Sequence, residues 1–251
     1  MILMTENLFD IQTPDGLMPT WVIHPDQGGP FPFIMFWMDA LGIREELIRM
    51  ARRFAEAGYA VYLPNLFYRD GGPSFDTKPL AHGILDPWMM QLNESLSLKM
   101  TLSDCGVILK HAEKNPNVHL PGAVIGYCMG GRHAMASAAA YPSTFKAMAS
   151  MHGGRLVNDQ PDSPHLCIPQ IEAEIYFAWA DEDPSAPASH AEVIEALLKK
   201  RPQAYELEWH KGALHGFTFP ERFCYHREAA ERVWSKLFDL FERQLKSQPN
   251  S

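Results

Sequence analysis

The sequence predicts an α/β protein with a mostly parallel central sheet and helices on both faces. Short apolar runs are typical of strands buried on both faces, and helical stretches alternate with them along the chain. The length of 251 residues suits a single domain spanning 1–251. Hydrophobic residues make up 46% of the chain and aromatic residues 11%, which is enough to build a sizeable core.

The elements follow one another along the chain. A turn at TPDGL, residues 13–17, predicts a hairpin, so the first strands are expected to be antiparallel. In REELIRMARRFAEAG, residues 44–58, apolar positions recur at spacings of three and four before a final glycine, which predicts a helix. The other predicted strands are TWVIHP, FPFIMFWM, YAVYLPN, AVIGY, FKAMASM, EIYFAWA and AYELEWH, and the other predicted helices are 89–114, 129–140, 188–200 and 225–246.

The longest irregular stretch is RDGGPSFDTKPLAHGILDPW, residues 69–88. Long irregular segments inside compact domains are often functional, so this stretch is predicted to form a lid or the wall of a pocket. A plain surface excursion is the alternative.

Charge and composition exclude several classes of function. The formal net charge of −8 argues against a nucleic-acid surface or an anionic membrane surface. The N-terminal residues lack the pattern of a signal peptide, and no apolar stretch is long enough for a membrane span. The four cysteines are widely spaced, which favours free thiols in a cytoplasmic protein over a disulfide framework. No metal-binding spacing is present, so neither a metal nor a cofactor is expected.

The segment AVIGYCMGGRHAMASAAA, residues 123–140, contains the pattern G-x-C-x-G between a predicted strand and a predicted helix. This is the context of a nucleophile elbow, with Cys128 at the tip of the turn. Glycine is expected two positions before and two after, because side chains there would clash in the crowded bend. The backbone N–H of Met129, at the start of the helix, is then placed to stabilise an oxyanion. A buried cysteine beside helix-packing glycines is the alternative interpretation.

A cysteine nucleophile needs a base and an acid that orients the base. In α/β-hydrolases both come later in the chain, in the order acid and then histidine. His215, between Gly212 and Gly216 after the last predicted strand, is the favoured base, with His210 as the alternative. Asp183, followed by Pro184, is the favoured acid, with Asp181 as the alternative.

Together these motifs resemble the dienelactone hydrolase family of α/β-hydrolases. The resemblance rests on the elbow at 126–131, D-P-x-x-P at 183–187 and H-G-F at 215–217. It also rests on the strand–loop–helix–strand segment that leads to NLFYR at 65–69, and it extends from about residue 13 to about residue 241.

The resemblance implies a hydrolase of carboxylic esters or lactones that works through an acyl-cysteine intermediate. It places Asp39 where the family carries a glutamate facing the thiol, and Ala40 where the second oxyanion N–H is donated. A cap at the entry of the following helix is the other interpretation of Asp39.

The expected partner is a small-molecule ester or lactone. Family members that act on dienelactone use an arginine to hold the substrate carboxylate, and this chain has none between positions 70 and 131. Methionine and aromatic residues are frequent there, which predicts a more apolar pocket and a broader range of substrates. Arg69, Trp88 and Tyr127 are the candidate substrate contacts.

Two other functions are compatible with the sequence. One is a thioesterase or another cysteine acyl-transfer enzyme on the same fold. The other is a non-catalytic member that binds a lactone, since a fold alone does not establish activity.

Overall fold

A computed structural model describes residues 3–246. Eight strands form one sheet in the spatial order β1-β2-β4-β3-β5-β6-β7-β8. The strands are β1 (Met4–Thr13), β2 (Gly16–Pro25), β3 (Phe31–Trp37), β4 (Ala60–Pro64), β5 (Val118–Tyr127), β6 (Phe145–Met151), β7 (Glu174–Glu182) and β8 (Tyr205–Leu214). The helices are α1 (Glu45–Glu56), α2 (Pro87–Ser95), α3 (Leu98–Ala112), α4 (Met129–Ala140), α5 (Ala188–Leu198) and α6 (Arg227–Phe241).

The sheet is antiparallel at one edge and parallel through the rest. Strand β1 pairs with β2, and β2 with β4, in antiparallel fashion. All neighbouring pairs from β4 through β3, β5, β6 and β7 to β8 are parallel. The predicted hairpin and the predicted mostly parallel sheet are both confirmed.

Helices cover both faces of the sheet, as adjacent residues of β3 demonstrate. The ring of Phe36 packs on Phe54 of α1, whereas Trp37 Nε1 donates a hydrogen bond to Ser137 Oγ of α4 at 3.1 Å. Because successive strand residues point to opposite faces, α1 and α4 lie on opposite sides of the sheet. Trp234 of α6 also packs on Phe54 at a tilted angle, with ring centroids 4.6 Å apart, so α6 shares the face of α1. The predicted fold class is confirmed.

The predicted helix over 89–114 is two helices. Leu96 is extended, and Ser97 caps a new helix by accepting a hydrogen bond from the backbone N–H of Met100 at 3.2 Å. A serine inside an apolar periodic run is a capping signal, because its short side chain competes for backbone donors. The chain therefore turns between α2 and α3.

The irregular segment 69–88 contains two short 3₁₀ turns, Tyr68–Asp70 and Lys78–His82, before α2 begins at Pro87. Asp86 caps α2 by accepting from the N–H groups of Trp88 and Met89. Over residues 3–246, none of the helices is long and apolar enough to cross a membrane.

Candidate active site

Candidate site residues come together at the carboxyl edge of the parallel strands. Ala40 follows β3, Cys128 follows β5, Asp183 follows β7 and His215 follows β8. Loops at this edge of an open parallel sheet converge on one crevice, which brings together residues far apart in sequence.

Cys128 lies on a strained turn between β5 and α4. Its backbone has φ 52° and ψ −116°, and such a positive φ is rare for a residue with a side chain. A Cβ atom on Gly126 would lie 2.0 Å from the carbonyl oxygen of Gly130, and a Cβ on Gly130 would lie 2.3 Å from that of Trp37. The steric reason for glycine on both sides of the cysteine therefore holds in the structure.

His215 and Asp183 form a short hydrogen-bonded pair. His215 Nδ1 lies 2.6 Å from Asp183 Oδ2, and Asp183 Oδ1 accepts the Ser185 backbone N–H at 2.8 Å. The Asp183 side chain is fully buried, and hydrogen bonds to both of its carboxylate oxygens fix its position. Since Nδ1 faces the carboxylate, Nε2 is the ring atom left for the sulfur of Cys128.

The two alternatives from the sequence are placed elsewhere. Asp181 is exposed, and its carboxylate accepts the backbone N–H of Gly212 at 3.2 Å. His210 lies inside β8, where its ring packs on Phe217 with centroids 4.9 Å apart. The structure thus brings Asp183 and His215, rather than Asp181 and His210, to Cys128.

The thiol of Cys128 and the imidazole of His215 shift each other's pKa. Burial alone would raise the pKa of Cys128, but the charge of His215 and a hydrogen bond to it lower that pKa below its usual value. Burial likewise opposes the charged imidazole, yet the Cys128 charge and the hydrogen bond that the ring donates to Asp183 raise the pKa of His215 to about 10. The pair therefore favours thiolate and imidazolium over a neutral thiol and a neutral imidazole.

A second histidine, His152, packs against the ring of His215 and was not predicted from the sequence. His152 follows β6, and its ring meets that of His215 edge-on, with centroids 5.3 Å apart. Its Nε2 lies 2.7 Å from Thr218 Oγ1. Burial and then the neighbouring positive charges hold the pKa of His152 well below its usual value, so this ring is neutral.

The loop after β3 carries Asp39 and Ala40. Asp39 is fully buried, accepts the Leu41 backbone N–H at 3.2 Å and receives hydrogen bonds from Arg44 at 2.6 Å and Arg222 at 2.7 Å. Burial would raise the pKa of Asp39, but the two guanidinium charges lower it.

The carboxylate of Asp39 is paired with two arginines, because full burial makes charge pairing necessary. Its negative charge also acts on the thiol, where it opposes the lowering of the Cys128 pKa. The N-cap of α1 is Arg44, so Asp39 is not a helix cap. It fixes the loop that carries Ala40.

A cavity of about 160 Å³ opens beside the thiol. Cys128, His215, Ala40 and Met129 all line it, so the two predicted oxyanion donors face the same space as the predicted nucleophile and base. The other lining residues are Leu41, Leu80, Leu85, Met89, Met90, Asn93, Arg132, Gly154, Arg155, Ser185 and Arg222.

Leu80 and Leu85 belong to the segment 69–88, which therefore contributes to the wall of the cavity. Met89 and Met90 make that side apolar, in keeping with the sequence expectation. Of the arginines that line the cavity, Arg155 and Arg222 were not expected from the sequence as pocket residues. Arg222 lies seven residues beyond His215 in the same connection, and this closeness to the predicted base was the available signal.

The three candidate substrate contacts do not line this cavity. Arg69 pairs with Asp104 and Asp15, both at distances below 3 Å. Trp88 is half exposed and packs edge-on against Phe75. Tyr127 is fully buried among aromatic rings, because as the residue before Cys128 its side chain points to the other side of the strand. The structure therefore does not support these three as substrate contacts.

Within residues 3–246, no group of three or more His, Cys, Asp and Glu side chains is arranged to hold a metal ion. The groups gathered at the site include the thiol of Cys128, the imidazole of His215, the carboxylate of Asp183 and backbone N–H groups.

The fold and the chain order of elbow cysteine, acid and histidine are those of the α/β-hydrolases. The family model for the dienelactone hydrolase family matches residues 18–245, and the chain belongs to this family.

Individual relatives agree with that assignment. A Synechocystis protein named "Putative carboxymethylenebutenolidase" is 29% identical over 231 residues, covering 90% of this chain and 92% of its own. The carboxymethylenebutenolidase of Rhodococcus opacus is 24% identical, over 84% of this chain and 81% of its own. A crystal structure titled "Putative Dienelactone Hydrolase" from Klebsiella pneumoniae superposes with a TM-score of 0.85 at 22% identity, covering 96% of this chain and 99% of that one.

Proposed function

We propose that this protein hydrolyses carboxylic esters or lactones through a covalent acyl-cysteine intermediate. The observation that carries the proposal is the arrangement of Cys128 on a strained elbow, hydrogen-bonded to His215, whose other ring nitrogen lies 2.6 Å from Asp183. Membership of the dienelactone hydrolase family supports the same reaction class.

The first half of the reaction forms the acyl-enzyme. His215 holds the proton of Cys128, and the thiolate attacks the ester carbonyl carbon to form a C–S bond. The carbonyl oxygen becomes an oxyanion, which the N–H groups of Met129 and Ala40 bind. The tetrahedral intermediate then collapses, the C–O bond to the alcohol part breaks, and His215 donates its proton to the leaving oxygen.

The second half releases the acid. A water molecule loses a proton to His215 as its oxygen attacks the thioester carbonyl. The C–S bond breaks, the acid leaves, and the thiolate–imidazolium pair is restored. Asp183 stays ionised throughout, because its role is to orient the imidazole and to stabilise its positive charge.

The leaving group decides which esters react well. A thiolate is a better leaving group than an alkoxide, so a tetrahedral intermediate with an ordinary alcohol tends to expel the sulfur again. Enol lactones and aryl esters have acidic leaving groups and are therefore the expected substrates.

The four free thiols agree with the cytoplasmic location that we also propose.

A panel of aryl esters and lactones tests the proposal on the wild-type chain and on Cys128→Ala. We expect hydrolysis by the wild type and a loss of at least a hundredfold in kcat/KM for Cys128→Ala. Rapid quenching followed by mass spectrometry should detect the acyl group on the peptide that contains Cys128.

Cys105→Ala is the matched control, since Cys105 is fully buried away from the cavity. Full activity of Cys128→Ala would remove Cys128 from the mechanism. Binding of lactones without turnover would instead identify a non-catalytic member of the family.

A further inference from the structure

His152 begins a strained loop that touches both Cys128 and His215. It follows β6 with a φ of 37°, and its backbone N–H donates to the carbonyl oxygen of Ala178 at 2.7 Å. Two residues later, the N–H of Gly154 donates to the carbonyl oxygen of Cys128 at 3.2 Å. A Cβ atom on Gly154 would lie 3.7 Å from His215 Cε1, so the loop passes close to the imidazole. Residues with side chains adopt a positive φ only where their surroundings hold them there, and such strain is concentrated at functional sites.

The side chain of His152 ties this loop to the one that carries His215. Nε2 of His152 lies 2.7 Å from Thr218 Oγ1, and both residues are almost fully buried. Thr218 follows His215 by three residues, in the same connection between β8 and α6. A hydrogen bond between two buried side chains holds them in one arrangement, because breaking it would leave both polar groups without a partner.

The ring of His152 packs directly against the imidazole of His215. The two ring centroids are 5.3 Å apart, and the ring planes meet at 68°. Phe217 and Phe219 pack on His152 as well, with centroids 5.5 Å and 5.4 Å away. His215 must keep one ring nitrogen on the carboxylate and the other toward the thiol, and rotation of its ring would break both contacts. A neighbouring ring that cannot move restrains this rotation.

An imidazole at this place has a cost that an apolar ring would not have. Nδ1 of His152 is buried and has no hydrogen-bond partner among residues 3–246. Unpaired buried polar atoms are rare in native proteins, and each of them calls for an explanation. Burial first, and then the positive charges of His215, Arg222 and His210, hold the pKa of His152 well below its usual value. The ring is therefore neutral and does not repel the imidazolium of His215.

We propose that His152 is a positioning residue for the reaction. Anchored to Thr218, it holds the imidazole of His215 in the orientation that directs one nitrogen to Asp183 and the other to Cys128. This inference rests on the proposed hydrolase function and adds to it a residue that acts through His215. His152 does not line the cavity, so it acts without touching the substrate.

Two variants break the same hydrogen bond from opposite sides. His152→Phe keeps an aromatic ring and removes the nitrogen, whereas Thr218→Val keeps the shape of the side chain and removes the hydroxyl. We expect kcat for an aryl ester to fall about fivefold or more in each variant, the size of one hydrogen bond. KM should change by less than about twofold, because both half-reactions use His215. The double variant should lose little more than either single variant, since both act through one contact.

The pH profile separates positioning from a merely structural role. When His215 is held less firmly, its contacts with Asp183 and Cys128 weaken. We therefore expect the pKa of Cys128 to rise and that of His215 to fall in both variants, so that the profile of kcat/KM against pH becomes narrower. Asp39 and Arg222, whose charges also act on Cys128, are the same in all variants. Loss of folded protein alone would lower the whole profile without changing its shape.

Thr101→Val is the matched control. Thr101 Oγ1 lies 2.9 Å from His133 Nδ1 in a second buried pair of threonine and histidine, and neither residue lines the cavity. We expect Thr101→Val to lower the stability to urea about as much as Thr218→Val does. Its kcat and its pH profile should stay those of the wild type.

Alkylation of Cys128 by iodoacetamide, followed by peptide mapping, gives a readout that needs no turnover. The midpoint of its rate against pH should move to higher pH in His152→Phe and Thr218→Val, but not in Thr101→Val. Thr218→Val decides the question if His152→Phe does not fold. An unchanged midpoint and kcat in Thr218→Val, or a lower kcat with an unaltered pH profile, would overturn the positioning role. Failure of the proposed function differs, since the wild type would then hydrolyse no ester while the alkylation midpoints still separated the variants.

Discussion

The backbone of Cys128 positions its sulfur, and the side chains around it set the pKa of the thiol. The elbow holds the sulfur at the mouth of the cavity through a positive φ that only tight surroundings sustain. His215 supplies the positive charge that favours the thiolate, and Asp183 supplies the negative charge that favours the imidazolium. The pKa of the thiol is therefore lowered while that of the imidazole is raised.

This arrangement predicts a bell-shaped dependence of kcat/KM on pH. Below the lowered pKa of Cys128 the thiol is protonated and the rate falls, whereas above about pH 10 His215 loses the proton that the leaving group needs. Asp183→Asn removes the carboxylate that helps to raise the His215 pKa. We expect the alkaline limb to move to lower pH and kcat/KM to fall by roughly a hundredfold or more.

Steady-state rates on an aryl ester from pH 5 to 11 measure both limbs. Asp181→Asn is the matched control, because Asp181 lies two residues away in an exposed position, bonded to the N–H of Gly212. An unchanged profile in Asp183→Asn, or an equal change in Asp181→Asn, would contradict the assignment of the acid.

At this scale the sequence predicted the residues whose chemistry depends on local backbone geometry. The glycines around Cys128 and the position of His215 after the last strand are local signals. The positions of the cavity arginines are not encoded in local signals. An arginine side chain is long, and its direction depends on how helices and loops pack. Arg69 illustrates this, since it turns away to Asp104 although its position suggested a substrate contact.

Among the elements, the pairing of Arg69 with Asp104 ties the start of the segment 69–88 to α3. Asp104 is fully buried. Its carboxylate accepts hydrogen bonds from Nη1 and Nη2 of Arg69 and from the Tyr68 hydroxyl, the last at 3.0 Å. The segment that forms part of the cavity wall therefore begins at a fixed point.

Asp104→Asn should be strongly destabilising, because it removes the buried counter-charge of the mostly buried Arg69 guanidinium and leaves only the half-exposed carboxylate of Asp15. The expected loss in the free energy of unfolding is about 3–5 kcal/mol, measured by urea denaturation. Glu231→Gln, which breaks the exposed pair with Arg53, should cost about 0–1 kcal/mol. Similar losses in the two variants would show that Asp104 contributes no more than a surface ion pair.

The succession of elements was largely predictable, since apolar strands and amphipathic helices alternate clearly. The division of 89–114 into α2 and α3 was missed because apolar periodicity continues across the break, while the capping by Ser97 is a single polar residue. The end of β8 was also placed too early. The strand continues past His210 to Leu214, pairing with β7 through a register shift that sequence patterns do not reveal.

For the whole molecule, the antiparallel edge and the site lie on different parts of the sheet. Strands β3 to β8 supply the loops of the cavity, whereas β1 is separated from them by β2. Stability contributed by β1 should therefore be separable from catalysis.

Ile11→Ala in β1 tests this separation. Ile11 is 6% exposed, and its truncation should lower the free energy of unfolding by about 2–5 kcal/mol. Below the unfolding transition, kcat/KM should stay within twofold of the wild type. Leu8→Ala on the same strand, at a position 54% exposed, should change neither quantity appreciably. A large loss of kcat/KM in the folded Ile11→Ala variant would show that the edge strand is coupled to the site.

The opposite environments of the four thiols have a practical consequence for covalent labelling. Burial raises the pKa of Cys105 and of Cys167 to about 12 and also raises that of Cys224, while the pKa of Cys128 alone is lowered. A limiting amount of an alkylating electrophile at neutral pH should therefore modify one position in four, and peptide mapping should find the label on Cys128. The protein can thus carry a fluorophore at its reactive centre without any engineered cysteine, and the label would report directly on what enters the cavity.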